Sequence, residues 1–254
     1  MEFKDKVVVI TGASSGIGRE IAIEFAKRRA VAVLLARNKE KLDRAVVQAR
    51  GWSQRSASFV CDVSSEEQVK KTFGEIKDKF GQVDILINNA GFGIHQEFLN
   101  ASIQDLESEM AVNYFGTVYC TKEVLPLMKK QGYGDIVNIS SVIGRVTFNH
   151  MSGYSAAKFA VASLSESLHH ELEDIHVHLI CPGRIRTNFF DHPSFKKRNL
   201  DPKKMAHPRL VALAVINAIE KNKFEVFVPW WGRCVVLAYA LFPRIVWWLY
   251  KRRN

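Results

Sequence analysis

Short, almost wholly apolar runs rich in Val, Ile and Leu recur along this chain, and between them apolar residues return at i, i+3 and i+4. The first pattern predicts strands at residues 6–11 (KVVVIT), 30–36 (AVAVLLA), 57–63 (ASFVCDV), 83–89 (VDILINN), 135–140 (DIVNIS), 175–182 (IHVHLICP) and 224–229 (FEVFVP). The second predicts helices such as GREIAIEFAKRRA after the first strand and AAKFAVASLSESLHHELE before the sixth. Strands without a polar face are covered on both sides, so the alternation predicts βαβ units with right-handed crossovers. The expected fold is α/β, a single doubly wound (Rossmann) parallel seven-stranded sheet with helices on both faces. Ligands of such a sheet bind beyond the carboxyl ends of its strands. The domain is expected over 1–229, followed by an apolar and basic segment over 230–254.

A chain of 254 residues that is 47% hydrophobic is long enough for one large core, and no low-complexity linker or internal repeat divides it. Its start, MEFKDKVVVITG, carries acidic residues and reaches Gly12 after a short apolar run, unlike a secretory signal, so a cytoplasmic location is expected. The four cysteines lie far apart with no CxxC, which predicts reduced, buried thiols, and no histidine stands at metal-ligand spacing, so no metal is expected. The net charge of +10 changes the picture once located. Residues 184–254 hold 15 Lys and Arg against 4 acids, and the rest of the chain 21 against 22. Those cations are interleaved with Trp, Leu and Val rather than set in a groove-reading motif, which points to an anionic membrane surface and not to nucleic acid.

The first candidate chemistry lies directly after the first strand, in TGASSGIG, Thr11 to Gly18. Gly12 suits a tight turn, Gly16 lets backbone approach a pyrophosphate and Gly18 lets the following helix pack close; Ser14, Ser15 and Ile17 fill the loop whose helix N-terminus faces the phosphates. Where a carboxylate would take the ribose hydroxyls of NAD, after the second strand, the chain reads LARNKEK, with Ala36 and Arg37. A guanidinium there suits a 2′-phosphate, so the expected cofactor is NADP(H). Asp62 and Val63, in CDV, and Asn89, Ala90 and Gly91, in NNAG, continue the same site, with Asp62 placed to accept from the adenine. Further on, YSAAK places Tyr154 and Lys158 four apart on one helical face. An ammonium beside the phenol favours phenolate, which suits Tyr154 to give a proton to a carbonyl oxygen as hydride reaches its carbon. Ser141, 13 residues earlier at the end of the fifth strand, suits a hydrogen bond to that oxygen.

With these motifs in register, the chain resembles the short-chain dehydrogenase/reductase family over nearly its whole length. The resemblance implies a catalytic group of Asn113, Ser141, Tyr154 and Lys158. Tyr154 is then the general acid/base, Ser141 rather than Ser140 orients the substrate oxygen, Lys158 holds the ribose and lowers the pKa of Tyr154, and Asn113 anchors a water-linked proton path. In PGRIRT, it places Pro182, Gly183, Ile185 and Thr187 against the nicotinamide. It also suggests a homodimer paired through the helices around YSAAK. One departure is Ser15, where many NADP-preferring members carry a basic residue.

The segment after the sixth strand, 184–209, is expected to cover the site, and its Phe189, Phe190, Phe195 and Met205 stand among basic residues. Phe92, Phe148 and Met151 lie in loops that reach the same cleft. An apolar ketone, aldehyde or alcohol of steroid, retinoid, fatty-acyl or sphingoid kind is therefore the expected substrate. The histidines are read as structural, with His95 or His150 the one that could line the cleft. In the terminal segment, the run Cys234–Tyr250 is 17 residues long and carries Pro243 and Arg244 near its middle. A charge there costs about 2.5–3.5 kcal/mol in a bilayer, which argues against a spanning helix. On a helical wheel Arg233, Arg244 and Lys251 fall on one line, with Trp247 and Trp248 beside it and Val235, Phe242, Val246 and Leu249 opposite. The segment is expected to lie in a membrane interface, kinked or split at Pro243, and the alternative is packing on protein. The function expected is NADPH-dependent carbonyl/alcohol interconversion, and the alternative is a non-catalytic NADPH-binding scaffold at a membrane.

Overall fold

The computed structural model describes residues 2–196, 198 and 201–253, the last five as helix backbone alone. One sheet carries the architecture, with seven parallel strands in the order β3-β2-β1-β4-β5-β6-β7. They are β1 Val7–Thr11, β2 Val31–Ala36, β3 Ala57–Val60, β4 Ile85–Asn88, β5 Gly134–Ile139, β6 Ile175–Pro182 and β7 Glu225–Val228. Six fall within the predicted runs, most of them shorter at the ends, and β5 begins at Gly134, one residue before its run. β1, β2, β4 and β5 are buried at every position, because alternate side chains point into two different cores. Val8 and Ile10 of β1 enter the layer made with α1 (Gly16–Lys27), α2 (Lys39–Arg50) and α7 (Pro208–Glu220); Val7 and Val9 enter the opposite layer with α3 (Glu66–Phe80) and α5 (Gly116–Gln131). Two further helices, α4 (Ile103–Met110) and α6 (Ser152–Glu171), pack on each other.

Local chemistry sets the helix limits. The Ser65 side chain accepts from Gln68 N–H at the start of α3, Glu66 and Glu67 occupy its first turn, Lys77 and Lys79 its last, and Gly81 closes it with φ 73°. Caps and charges thus agree with the helix dipole. α4 runs into a π turn, Ala111–Phe115, before α5 begins.

The chain turns back on itself at β1, which lies between β2 and β4. This reversal opens a crevice at the carboxyl ends of β1 and β4, where the first helix of each half leaves the sheet in opposite directions. Thr11 and Asn89 brace it: the Thr11 hydroxyl accepts from Asn89 N–H at 2.9 Å and Ala90 N–H at 3.0 Å, and Asn89 Nδ2 donates to the Thr11 carbonyl at 2.9 Å.

The terminal segment forms two helices, α8 (Gly232–Leu241) and α9 (Pro243–Arg253), divided at Phe242, with Pro243 opening the second. Proline has no N–H to give and suits a first helical turn, so the split follows from the sequence. α8 is not detached: Val236 packs against the cluster of Val161, Leu179 and Phe227, and Gly232 is buried where a Cβ would lie 3.1 Å from Val142. Trp230, Trp231, Leu241, Phe242, Ile245 and Trp247 remain exposed. Phe242, expected on the apolar side of a single wheel, sits at the break instead; the side chains of Leu249 and Lys251 lie outside the described residues. Among the described residues no helix is long and apolar enough to cross a membrane. Cys61, Cys120 and Cys181 are buried thiols as expected, whereas Cys234 is exposed, because α8 turns that side of its first turn outward.

Candidate active site

A cavity of about 1520 Å³ occupies the crevice. At one end it is lined by Gly12, Ser14, Ser15, Gly16 and Ile17. Gly12 and Gly16 have φ of 64° and 55°, the left-handed region that favours glycine. Gly18 lies outside the lining for a packing reason: a Cβ there would be 2.5 Å from Asn89 Nδ2 and 2.6 Å from the Gly12 carbonyl. No side chain caps α1 at Ser15, so its first N–H groups face the cavity end-on, an arrangement that fits a pyrophosphate.

Arg37, Asp62 and Val63 line the next stretch with Ala36, Asn38, Lys41 and Cys61. The Arg37 guanidinium is largely exposed and 3.7 Å from the Asp62 carboxylate, which also accepts from the Ser64 N–H and hydroxyl. Lys41 was not singled out from the sequence; it lies one turn into α2, and its i+4 spacing from Arg37 is the signal that marks it. Asn89, Ala90, Gly91, Pro182, Gly183, Ile185 and Thr187 complete this wall. The Thr187 side chain lies 3.2 Å from a Cβ built on Gly16, so the strand-six exit and the glycine loop touch.

Further along stand three of the four groups proposed for proton chemistry, Ser141, Tyr154 and Lys158. Ser140 and Ser141 divide their duties as the spacing requires: the Ser140 hydroxyl donates to the Lys158 carbonyl, while Ser141 pairs with Tyr154 and donates to the Pro182 carbonyl at 3.2 Å. Lys158 is buried, donates to the Ile139 carbonyl at 2.9 Å, and has its Nζ 5.7 Å from the centre of the Tyr154 ring. Burial, which disfavours the ammonium, lowers its pKa to about 8. The expectation that the ammonium would lower the phenol is not met in the chain by itself. Burial pushes the Tyr154 phenol above its ordinary value, the Ser141 hydrogen bond opposes this, and the charge of Glu109 adds to it.

Asn113 does not line the cavity; it is wholly buried in the π turn behind it. A π register shifts N–H groups one residue further back and releases carbonyls, and Asn113 Nδ2 takes that of Glu109 at 2.8 Å along with that of Phe92 at 2.8 Å. Its Oδ1 is buried and has no protein partner, and a Cβ on Gly91 would lie 2.5 Å from it and 3.4 Å from Lys158 Nζ. A buried acceptor left open beside an ammonium is what a bound water needs.

Phe92, Phe148, Met151, Phe189 and Phe190 all line the remaining end, joined by Phe195. Phe189 packs on Tyr154 at 5.2 Å between ring centres, and the loop backbone presses in from the other side, since a Cβ on Gly93 would be 3.1 Å from the Tyr154 ring. The covering segment is short 3₁₀ turns closed at its base by an Ile185–Ala206 bridge. His95 and His150 do not line the cavity; they stack on each other at 5.1 Å, and His95 also packs on Phe195. His192 lines it instead, together with Trp231 and Val235 of the terminal segment. The sequence pattern gave no sign that α8 would return to the cavity, because the contact depends on how β7 leaves the sheet.

The family model described as short chain dehydrogenase matches residues 6–197. Epidermal retinol dehydrogenase 2 of Mus musculus is 32% identical over 244 residues, 94% of this chain and 78% of that protein. 17-beta-hydroxysteroid dehydrogenase 13 of Homo sapiens is 31% identical over 229 residues, 88% of this chain and 75% of that protein. Among solved structures, a short chain dehydrogenase/reductase from Burkholderia phymatum in complex with NAD superposes with a TM-score of 0.84 at 28% identity, covering 94% of this chain and 92% of that one.

Proposed function

The chain belongs to the short-chain dehydrogenase/reductase family and is an oxidoreductase; on that premise we propose that it interconverts an apolar ketone or aldehyde and the corresponding alcohol with NADP(H), beside an anionic membrane surface. The observation that carries this reading is the convergence of Tyr154, Ser141 and Lys158 on one cavity that also contains the glycine cradle and ends in aromatic side chains. When bound, the nicotinamide cofactor supplies or accepts the hydride. Tyr154 gives its phenolic proton to the carbonyl oxygen in reduction and takes it back in oxidation. The Ser141 hydroxyl, turning from the Pro182 carbonyl, donates a second hydrogen bond to that oxygen and fixes its place. Lys158, poised near pH 8, stabilises the phenolate and returns a proton through a water held at Asn113 Oδ1.

Arg37 and Lys41, with no acid at the end of β2, support a 2′-phosphate and hence NADP(H) over NAD. The retinoid and steroid named for the two relatives, and the wall of Phe189, Phe190 and Phe195, support a lipid-derived substrate. The exposed tryptophans of 230–254 and the basic excess of residues 184–254 support a peripheral seat on the bilayer, and Phe115 at the end of the π turn and Phe159 on α6, both exposed, support a homodimer. The test is turnover of NADPH and NADH over carbonyls of increasing size. Wild type should prefer NADPH and polycyclic or long-chain substrates, and Tyr154→Phe should lose a factor of about 10²–10⁴ in rate while binding NADPH undiminished. Equal turnover by Tyr154→Phe would sink the reading and favour a scaffold.

A further inference from the structure

One buried ionisable group beside the reaction centre has no part in the scheme above. Glu109, in the last turn of α4, is 2% exposed, and three contacts tie it to the elements that build the site. Its Oε1 accepts from the Ile94 N–H at 2.9 Å, which holds the loop that carries Gly91, Phe92 and Gly93. Its main-chain carbonyl receives Asn113 Nδ2. Its Oε2 abuts the first turn of α6: a Cβ on Gly153, next to Tyr154, would be 2.2 Å away. Burying a carboxylate costs far more free energy than burying an ordinary loop anchor, such as an amide or hydroxyl.

We propose that Glu109 is a positioning residue of the reaction centre, whose carboxyl locks the 91–94 loop to the start of α6 and whose charge governs how readily Tyr154 parts with its proton. The inference rests on the proposed role of Tyr154. Among the described residues its carboxyl accepts from the Ile94 N–H and forms no ion pair. The ionisable groups on the elements around it are Asp105 and Glu107 on its own helix, His95 in the loop, Tyr114 in the π turn, and Tyr154 and Lys158 in the first two turns of α6. Burial, against the Ile94 hydrogen bond and with the charge of Asp105, raises the Glu109 pKa to about 7. Its charge therefore changes within the physiological range, and when ionised it opposes the phenolate. Acidification neutralises Glu109 and eases ionisation of Tyr154; alkalinisation does the reverse and keeps the phenol protonated, as reduction requires.

Glu109→Gln keeps the shape and the acceptor for Ile94 while removing the charge. It should retain NADPH binding, and the pH above which carbonyl reduction falls should drop by about one unit, as should the pH above which alcohol oxidation rises. A residue that only packs would lower the rate at every pH and leave both limbs in place, and that result, with wild-type turnover present, would overturn the role of Glu109 without touching the proposed reaction. Absence of wild-type turnover would overturn both. A second measurement does not depend on the variant folding. With carboxyl-¹³C glutamate in the full wild-type chain, one resonance should titrate near pH 7; titration of all of them below pH 5 would overturn the proposal.

Discussion

Lys158 shows what the site costs the molecule. Its ammonium is buried against a single carbonyl, and its pKa lies at about 8 rather than 10.5. A lysine whose folded pKa lies below its unfolded value opposes folding fully below pH 8, and the penalty fades as the pH rises to 10.5. Lys158→Met is therefore expected to raise Tm at pH 7, to lose that advantage near pH 10.5, and to lose turnover at both; thermal melts of the two proteins across this range check it. The residue types here were legible in the sequence, since Tyr154, Lys158 and Ser141 announce themselves by spacing. Glu109 was not. A glutamate in ESEM reads as a solvated helix residue, and only the packing of α4 on α6 buries it.

Among the elements, α1 and α7 are clasped by Glu24, a nearly buried carboxylate bonded to Lys27, Arg28 and, from α7, Arg209 at 2.9 Å. Although burial acts to raise its pKa, the three cations prevail and hold it down to about 2. A carboxylate with a depressed folded pKa stabilises above its unfolded value, near 4.5, and that contribution is lost as the pH falls through 2. Glu24→Gln should cost about 2 kcal/mol at pH 7, a modest figure because the cations are partly solvated, and the difference from wild type should vanish towards pH 2. Urea unfolding at several pH values measures it. Strands and helices were legible because the strands are short apolar runs, the central ones β1 and β2 without a polar residue except Thr11, and the helices between them are amphipathic. The π turn at 111–115 was not, because no local pattern distinguishes it from a continuous helix.

For the molecule as a whole, the terminal helices decide between two views of the cavity. α8 begins as part of the domain, through Gly232, Val235 and Val236, and together with α9 it presents exposed aromatic and basic side chains. Removal of 242–254 is expected to release the protein from vesicles containing anionic lipid while leaving Tm and NADPH binding unchanged. Removal from residue 230 should also lower Tm, because it strips Val236 from the core. Co-sedimentation with neutral and anionic vesicles, at low and high salt, checks both; retention of the shorter chain would show that membrane binding lies elsewhere.

The sequence by itself determined the alternation of strand and helix, the glycine loop, the residue types of the proton-transfer group and the place of the charge. Each is written in local spacing, which the backbone periods of 2 and 3.6 translate directly. Tertiary structure decided the rest. It placed Asn113 behind the cavity rather than in it, packed His95 and His150 on each other outside the cavity lining, brought Trp231 and Val235 back to the cavity, and reversed the expected direction for Tyr154 by burying it beside Glu109. Burial and long-range contact set solvation and neighbouring charge, and residues far apart in sequence supply both.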